Sequence, residues 1–425
     1  MSARLQAIRG MEDVLPDASP LLEKLEDACR TVFRQYGYRN IRTPLVEPTE
    51  LFVRGVGETT DIVEKEMYVF QDRNGESLAL RPEATAGIVR AAIEHNFLYN
   101  GPMRVWTSGP MFRYERPQKG RYRQFDQFDV EALGFEGPDV DAEQIVLLAR
   151  LWKELGVRDV ELHINSIGDA EDRKEHREKL IAHFEKHAEV LDEDARRRLH
   201  TNPLRILDSK NPAMQAMIEA APRLLDHLGD AAAEHFEGLK WLLQESGLEF
   251  TVNPRLVRGL DYYNRTVFEW ITPRIGAQAT IAGGGRYDAL FEQLGGRPTP
   301  ACGFGMGVAR VLLAMQAFNV AAGHEPHAFI VHSGETAEKM AWTFSERMRD
   351  AGLQVVLGSG GSFKSQMKKA DASGARYAVI IGDDEVAANK VTVKPMRGGE
   401  QQALEPQAAI RLVSGASREP ATTGA

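Results

Sequence analysis

The stretch Gly109–Glu131 has the sequence GPMFRYERPQKGRYRQFDQFDVE, in which a basic segment lies between two strand-like ones. Gly109–Tyr114 and Gln124–Glu131 alternate apolar with polar residues, as half-buried strands do. The segment between them contains Pro117 and Gly120, which interrupt regular structure. It also carries cationic side chains at Arg113, Arg116, Lys119, Arg121 and Arg123. The pattern predicts two antiparallel strands joined by a basic loop.

Elements on both sides extend this hairpin into a larger domain. Apolar residues recur at intervals of three and four over residues 19–36 and 139–155, which predicts amphipathic helices. A second hairpin is predicted over residues 66–82, where two apolar runs flank a turn. The sequence therefore favours an α+β domain built on an antiparallel sheet, formed by residues 1–170 and 251–320.

Two other regions differ in composition from this domain. Residues 171–250 are highly charged and have few β-branched runs, which predicts a helical insertion. After a linker at Ala321–Pro326, strands alternate with helices over residues 326–414, and this order predicts a small α/β C-terminal domain. The tail, residues 415–425, is rich in Ser, Thr, Ala and Gly, and we expect it to be disordered.

The ends of several elements in the larger domain are also predicted. Strands are expected at Tyr38–Pro44 and Val252–Arg258, because each run contains residues that favour extended structure. A helix is expected from about Thr85 to Tyr99. The alternating glycines of Gly303–Arg310 are expected to open an apolar helix, where their backbone N–H groups would face an anion.

The composition excludes several classes of protein. No apolar run reaches the length of about 18 residues that a transmembrane helix needs, and residues 1–6 lack the apolar segment of a secretory signal. Cys29 and Cys302 are too few for a disulfide framework or a thiolate zinc site. They fit a reducing compartment, so we expect a cytoplasmic protein with no membrane partner. The net charge of −9 argues against a general nucleic-acid coat protein but permits local basic surfaces.

Three segments resemble ligand-binding motifs but fail the required spacing. Gly358–Ser365 looks like a phosphate-binding loop, yet it lacks a glycine directly before the lysine. Gly303–Gly307 has the wrong glycine spacing for a dinucleotide fingerprint. His183 and His187 are four residues apart, but the glutamate between them is one position later than the zinc-protease pattern requires. We therefore predict no dinucleotide-binding fold and no protein-bound metal.

Arg113 and Glu115 are expected on one strand, with both side chains on the same face. Taken alone, such a pair is usually a surface ion pair of small energy. With Phe125 nearby, the same residues could instead hold an adenine ring by stacking and a phosphate by a bidentate guanidinium. The residue types leave both interpretations open.

Several segments resemble motifs of the aminoacyl-tRNA synthetases. Phe112–Phe125 closely resembles motif 2 of the class II enzymes, and Gly303–Arg310 resembles motif 3. The helix of residues 19–36 with Tyr38–Pro44 resembles motif 1. Motif 1 forms the dimer interface in that class, so the resemblance implies a homodimer.

Three further segments narrow the resemblance to the histidyl-tRNA synthetases. Leu256–Tyr263 and Ala282–Asp288 look like two signatures of that family, and Ile8–Asp13 also matches it. The resemblance implies a ligase that activates histidine with ATP, as its Mg²⁺ complex, to histidyl-adenylate. The enzyme would then transfer histidine to the 3′ end of tRNA-His, and no tightly bound metal is implied.

The resemblance also implies a role for each motif residue. Arg113 would hold the α-phosphate of ATP, Glu115 would lie near the adenine, and the adenine ring would lie between Phe125 and Arg310. Arg258 would be catalytic together with Arg113, since it would contact the α-phosphate and the carboxylate of histidine. The remaining residues implied to bind histidine are Glu83, Thr85 and Gln127 at the α-amino group, Glu131, Tyr262 and Tyr263 at the imidazole, and Gly283, Gly284 and Gly285 at the backbone.

The same family uses two regions for tRNA. Arg116 and Gln118, in the basic loop, would contact the acceptor end. Residues 326–414 would bind the anticodon, with positive charge supplied by helices within an acidic protein. The alternative for these cations is that they only solvate helix faces.

Two other functions are alternatives to histidine activation and transfer to tRNA. The regulatory subunit of ATP phosphoribosyltransferase resembles the synthetase core but does not aminoacylate. It loses the element that is intact here at Arg258–Tyr263, and it generally lacks an anticodon-binding domain. A plain RNA-binding module would not need Glu131 or the glycines of Gly283–Gly285.

Overall fold

The structure is a computed structural model that describes residues 5–58, 60–276, 279–323 and 325–415. The chain divides into two compact units, Met1–Ala322 and Gly323–Ala425. Each unit has its own hydrophobic core. None of the helices within the described ranges is long and apolar enough to cross a membrane.

The first unit combines eleven strands and ten α-helices among its described residues. The strands are β1 (Arg39–Asn40), β2 (Val46–Pro48), β3 (Tyr68–Gln71), β4 (Ser77–Leu80), β5 (Met103–Phe112), β6 (Gln124–Leu133), β7 (Glu161–Ser166), β8 (Thr251–Val252), β9 (Asn264–Ile271), β10 (Thr280–Arg286) and β11 (Ala301–Gly307). The helices are α1 (Ser19–Gln35), α2 (Thr49–Val56), α3 (Thr85–Glu94), α4 (Pro138–Leu155), α5 (Ala170–Glu185), α6 (Glu193–Arg198), α7 (Gln215–Glu219), α8 (Asp230–Glu245), α9 (Leu290–Gln293) and α10 (Val308–Ala317).

Eight of these strands form one sheet in the order β1-β5-β6-β11-β10-β9-β7-β8. Its six central strands are antiparallel, as predicted, while the pair at each edge is parallel. The predicted hairpin is confirmed, because β5 and β6 pair continuously from Met103 opposite Leu133 to Phe112 opposite Gln124. The second predicted hairpin is β3 and β4, which join β2 in a separate three-stranded sheet.

Several predicted element ends were wrong. The strands expected at Tyr38–Pro44 and Val252–Arg258 shrink to β1 and β8. A proline lies within or at the end of each run, and proline cannot donate to a strand ladder. The helix expected to reach Tyr99 ends at Glu94, where Asn96 takes a left-handed backbone conformation with φ of 51°.

The side chains of strand β6 alternate between the two faces of the large sheet. Phe128 and Val130 point into a core built mainly from α1, α4, α8 and α10. Alternate residues of a strand point to opposite faces, so Gln127, Asp129 and Glu131 lie on the other side. The sheet thus places three polar side chains of one strand away from the apolar helical layer.

Residues 171–250 are rich in helix, as predicted. Apolar side chains from α5, α6 and α7 and the turns between them form a separate cluster that includes Leu180, Phe184 and Met214. Helix α8 differs, because Phe236 and Leu239 pack into the core of the large sheet. The end of this segment therefore belongs to the helical layer that supports the sheet.

The second unit has a sheet and helices of its own. The elements are β12 (Ala328–His332), α11 (Glu335–Asp350), β13 (Val355–Leu357), α12 (Phe363–Ala372), β14 (Tyr377–Ile381), α13 (Asp383–Ala388), β15 (Val391–Pro395), β16 (Gln402–Leu404) and α14 (Pro406–Gly415). The strands form a five-stranded mixed sheet in the order β13-β12-β14-β15-β16.

The parallel strands β13, β12 and β14 are connected by helices, which agrees with the predicted α/β order. The sequence did not predict α13 and β16. Residue Gly415 ends the last helix, and residues 416–425 of the predicted tail lie outside the described residues.

Candidate active site

A cleft of about 320 Å³ lies on the polar face of the large sheet. Residues from many separate parts of the sequence line it, among them the start of α3, the β5–β6 hairpin, the segment before β9, the strands β9, β10 and β11, and the start of α10. Eleven of the residues predicted to bind ATP or histidine line this cleft, namely Glu83, Thr85, Arg113, Glu115, Phe125, Gln127, Arg258, Tyr262, Tyr263, Gly283 and Arg310.

The alternating glycines next to β6 form a strand. The sequence predicted that they open a helix, but Ala301–Gly307 is β11 and the helix begins at Val308. Gly303 lies opposite Glu131 and Gly305 lies opposite Asp129. A Cβ atom on Gly303 would overlap the Glu131 carboxylate, and one on Gly305 would overlap the Gln127 amide. These glycines therefore make room for polar side chains of β6 to lie across the sheet.

The three consecutive glycines of β10 do not share one role. Gly283 lines the cleft, and its Cβ position would lie 2.8 Å from Nη1 of Arg258, so it makes room for that guanidinium. Gly284 and Gly285 are outside the lining residues, and Cβ atoms there would overlap the backbone at Gly303 and Thr266. Close packing between strands therefore requires both to be glycine, and their approach to the substrate stays a prediction.

Thr85 is the first residue of α3, and Glu83 lies just before the helix. The Glu83 carboxylate accepts hydrogen bonds from the backbone N–H groups of Thr85 (2.8 Å) and Ala86 (2.9 Å). This is a favourable place for a negative charge, because the first N–H groups of a helix have no partner within it. Burial nevertheless raises the pKa of Glu83, although these hydrogen bonds and Arg113 oppose the change.

Glu131 lies beneath the cleft and is 1% exposed. Its carboxylate accepts a hydrogen bond from Oγ1 of Thr85 at 2.6 Å and another from the hydroxyl of Tyr287. Burial raises the pKa of Glu131 well above its ordinary value. The sequence stretch Ala282–Asp288 contained Tyr287, but no local pattern indicated that its hydroxyl would reach Glu131.

Three guanidinium groups converge on one end of the cleft. Burial, followed by the nearby charges of Arg121 and Arg113, lowers the pKa of Arg310 to about 10. Nε and Nη1 of Arg310 donate to the backbone carbonyls of Gly120 (3.2 Å) and Thr280 (3.0 Å). Like charges held together in a partly enclosed cleft favour an anionic ligand, since an anion relieves their repulsion.

The residues predicted around the adenine are arranged differently from expectation. Strand β5 ends at Phe112, so Arg113 and Glu115 follow the strand instead of lying on it. The central guanidinium carbon of Arg113 lies 5.4 Å from the centroid of the Phe125 ring. Glu115 forms an ion pair with Arg121, which the sequence did not predict as a site residue.

Arg258 is anchored at the edge of the cleft. Its Nη1 forms an ion pair with Glu269 on β9, and its guanidinium lies 5.9 Å from the centroid of the Tyr263 ring. Burial alone would lower the pKa of Arg258, but the Glu269 carboxylate and the Tyr263 hydroxyl outweigh it and raise that pKa. Glu269 also lines the cleft and was missed, because a lone glutamate on a strand carries no local signal.

The two adjacent tyrosines of the predicted imidazole site are buried side by side. The ring centroids of Tyr262 and Tyr263 are 4.7 Å apart, and Tyr262 packs against the edge of Tyr287 at 5.5 Å. Burial raises the pKa of both phenols, so both are protonated donors at neutral pH. The structure thus brings three phenols close to Glu131.

The other predicted residues lie outside the cleft. Arg116 and Gln118 are exposed on the loop between β5 and β6, where Gln118 and Arg121 exchange backbone hydrogen bonds. His183 and His187 make hydrogen bonds from ring nitrogens to backbone carbonyls. Within the part of the chain that the structure describes, no three His, Cys, Asp or Glu side chains are grouped so as to hold a metal ion.

Comparisons with known proteins agree with this arrangement. A family model described as histidyl-tRNA synthetase matches residues 10–311, and one described as anticodon binding domain matches residues 327–415. The histidine–tRNA ligase of Methylobacillus flagellatus is 60% identical over 417 residues, covering 97% of this chain and 100% of the relative.

Solved structures give the same family. The apo histidyl-tRNA synthetase of S. aureus is similar with a TM-score of 0.79 at 36% identity, over 96% of this chain and 100% of that one. A protein of Bacillus halodurans C, described as an ATP phosphoribosyltransferase regulatory subunit/histidyl-tRNA synthetase, has a TM-score of 0.64 over 90% of this chain and 100% of that one. At 23% identity it shares the fold alone. Because the family match spans more than half of the sequence and the relatives extend over nearly all of it, this chain belongs to the histidyl-tRNA synthetase family.

Proposed function

We propose that this chain is a histidine–tRNA ligase, which activates histidine with ATP and transfers it to the 3′ end of tRNA-His. One observation carries the proposal: a single cleft is lined by eleven residues that the sequence assigned to ATP or histidine. The cleft combines cationic and anionic walls, as a site for a polyphosphate and an ammonium group requires. The regulatory-subunit alternative has less support, because residues 327–415 match an anticodon binding domain.

Activation would need no nucleophile from the protein. A carboxylate oxygen of histidine attacks the α-phosphorus of ATP, the bond to the pyrophosphate oxygen breaks, and histidyl-adenylate and pyrophosphate form. Charge spread over the phosphate oxygens is the main demand on the site, so fixed cations supply the catalysis. ATP would enter as its Mg²⁺ complex.

Arg113, Arg258 and Arg310 would supply those cations. Arg258 would contact the α-phosphate and the substrate carboxylate from the position that Glu269 and Gly283 give it. Arg113 would hold the α-phosphate, and Arg310 would lie nearer the terminal phosphates. Guanidinium groups remain charged at any physiological pH, and their planar forks suit phosphate oxygens.

Histidine would be selected by buried polar groups. Glu131 and Tyr263 would each bind one nitrogen of the imidazole, with Tyr262 beside them. An apolar ring of similar size would leave these buried groups without partners, which is costly. Glu83, Thr85 and Gln127 would hold the α-amino group.

Charging of a tRNA-His transcript with radiolabelled histidine tests the proposed function. We expect charging that requires ATP and histidine and that other amino acids do not replace. The regulatory-subunit alternative predicts no charging, together with stimulation of an ATP phosphoribosyltransferase catalytic subunit.

The loop between β5 and β6 is proposed to touch the acceptor end of the tRNA. Arg116 and Gln118 are exposed there, while the neighbouring strands are fixed in the sheet. Changing Arg116 and Gln118 together to alanine should lower aminoacylation about tenfold or more, because phosphate and base contacts are lost. Histidine-dependent pyrophosphate exchange should change less than about twofold, since neither side chain lines the cleft.

The matched control for this loop is Arg73→Ala, which removes an exposed cation from the turn between β3 and β4. It should leave both activities unchanged. If the loop variant loses exchange and aminoacylation in parallel, the loop acts on ATP and its assignment to tRNA is wrong.

The second unit is proposed to bind the anticodon. Its helix α12 presents Lys364, Lys368 and Lys369 to solvent, whereas Lys339 on α11 is paired with Glu335. Exposed lysines on one helix offer backbone contacts to RNA. A chain ending after Gly323 should therefore still form histidyl-adenylate, if its dimer survives, because all proposed adenylation residues precede that point.

This truncation is measured by the ratio of aminoacylation to pyrophosphate exchange, in truncated and full-length protein at matched salt. We expect the ratio to fall at least about tenfold, since several phosphate contacts are removed together. An unchanged ratio would mean that the second unit does not contribute to tRNA binding.

A homodimer and a cytoplasmic location complete the proposal. The resemblance of α1 and the residues after it to motif 1 supports the dimer, which light scattering would test. Cys29 and Cys302 are both free and buried, which suits a reducing compartment.

A further inference from the structure

Asp129 is a cleft residue that neither the sequence nor the proposed mechanism uses. It lies on β6 between Gln127 and Glu131, on the same face of the sheet. It lines the cleft and is 3% exposed. Its Oδ2 atom is buried and accepts no hydrogen bond from the residues that the structure describes.

The surroundings of Asp129 do not satisfy its carboxylate. Glu83 adds a second negative charge nearby, and burial followed by Glu83 raises the pKa of Asp129 to about 8. Arg81 and Arg113 are the opposing charges, but Nε and Nη1 of Arg81 donate to Pro110 and Thr43, and Nε of Arg113 donates to the carbonyl of Pro82. An unpaired buried carboxylate is costly, so a site that retains one favours a cationic ligand.

The neighbouring strand β5 does not donate a hydrogen bond to Oδ2 of Asp129. Thr107 on β5 is its cross-strand neighbour, and the hydroxyl of Thr107 is also buried without a hydrogen-bond partner among the described residues. Across the other edge of β6, Gly305 has no side chain, and the Gln127 amide and Oδ1 of Asp129 both lie next to its Cβ position. Asp129 thus lies among polar neighbours, while its own Oδ2 atom has no hydrogen-bond partner among the described residues.

We propose that Asp129 accepts a hydrogen bond from the α-ammonium group of the substrate histidine. This inference rests on the proposed function and adds a second carboxylate beside Glu83 at that group. Glu83 already accepts two backbone hydrogen bonds at the start of α3, whereas Oδ2 of Asp129 is uncommitted. A phosphate would be repelled by both carboxylates, so ATP does not fit here.

The spacing along β6 agrees with an ammonium at this position. Alternate residues on a strand are about 6.8 Å apart, so Asp129 lies that far from Glu131 along the strand. If Glu131 holds the imidazole, the other end of the same amino acid reaches back toward Asp129 and Gln127. One face of one strand would then bind both ends of the substrate.

The first test compares substrate constants of the full-length Asp129→Asn variant in pyrophosphate exchange. We expect KM for histidine to rise at least about tenfold, because a charged hydrogen-bond partner is lost, and KM for ATP to change less than about twofold. Exchange at saturating histidine should persist, which separates a failure of this inference from a failure of the proposed function. An unchanged KM for histidine, or equal rises for both substrates, would overturn the inference.

Two inhibitors identify the group that Asp129 binds. Histidinol keeps the amine and the imidazole, whereas 3-(imidazol-4-yl)propionate lacks the amine. The preference of the wild type for histidinol should shrink about tenfold in Asp129→Asn, as expected for a lost charged contact. A preference that stays the same would assign Asp129 to another part of the substrate.

The matched control is Thr107→Val, which removes the unpartnered hydroxyl opposite Asp129 without changing charge or shape. It should leave KM for histidine within about twofold of the wild type. If both variants raise that KM equally, the cause is packing between β5 and β6, and the inference is wrong.

Thermal stability gives an independent test of Asp129. Asp129→Asn should weaken the binding of histidine but raise the melting temperature of the protein. Because the pKa of Asp129 is raised in the folded protein, the unfolded chain gains from ionisation as the pH rises from about 4 to about 8. Asp129→Asn removes this penalty, so its melting temperature should exceed that of the wild type by at least about 2 °C at pH 7.5. The gain should be smaller near pH 5. Glu83, Arg81 and Arg113 act on the charge of Asp129, and Asp129 in turn raises the pKa of Glu131. Relieving Glu131 of that negative charge adds to the expected gain, and a lower melting temperature would indicate a structural role instead.

Discussion

Changing Arg258 to alanine should reduce histidine-dependent pyrophosphate exchange by about 100- to 1000-fold, the usual effect of removing one fixed donor from a developing oxyanion. The guanidinium is held at the cleft by Glu269, and Gly283 leaves it space, so it is positioned before the substrates arrive. Alanine also leaves the Glu269 carboxylate in the cleft without its cation, where it would repel phosphate. The measurement is exchange at saturating ATP and histidine.

The matched control is Arg255→Ala, three residues earlier in the same segment. Arg255 donates to Gln215 and does not line the cleft, so exchange should stay within about twofold of the wild type. Both variants should retain the melting temperature of the wild type to within a few degrees. If Arg258→Ala keeps exchange within about tenfold, a difference of about 1.4 kcal/mol, its catalytic assignment is wrong.

Changing Glu131 to glutamine should weaken histidine far more than ATP. Thr85 and Tyr287 both donate to this carboxylate, which leaves its remaining lone pairs for the imidazole. Losing a charged partner costs about 1.5–3 kcal/mol, which corresponds to a rise in KM for histidine of about 10- to 150-fold. KM values for both substrates in pyrophosphate exchange provide the measurement.

Glu143→Gln is the control for this variant, because it makes the same chemical change at a carboxylate that is paired with Arg104 and lies outside the cleft. It should leave both KM values unchanged. Equal losses for histidine and ATP in Glu131→Gln would point to local misfolding and would remove the support for an imidazole contact.

Local sequence pattern predicted the elements whose residues alternate or recur regularly. The β5–β6 hairpin and helices α1 and α4 follow directly from such periodicity. Strand β6 and both helices were found within a few residues of their expected bounds, whereas β5 begins at Met103, well before the expected Gly109. The glycines of β11 were wrongly predicted to open a helix, because glycine has no side chain to show a strand period. These positions are glycine because side chains of β6 occupy the space that a Cβ atom would need.

Motif residues could be predicted as a group, but their partners could not. Tyr287 contacts Glu131 from a segment distant in sequence, Glu269 reaches Arg258 from the following strand, and the charge of Glu83 acts on Asp129 from another element. A single carboxylate or phenol on a strand has many ordinary uses, so its spacing alone indicates no site. Only the order of strands in the folded sheet brings these groups to one cleft.

Histidine-dependent exchange of pyrophosphate into ATP tests whether the cleft activates histidine, because it requires the cleft and no tRNA. Full-length protein is incubated with ATP, Mg²⁺ and labelled pyrophosphate, with and without histidine, and label in ATP is measured. We expect rapid exchange with histidine and background exchange without it or with other amino acids. Exchange that stays at background with histidine present, in protein shown to be folded, would mean that the cleft does not activate histidine.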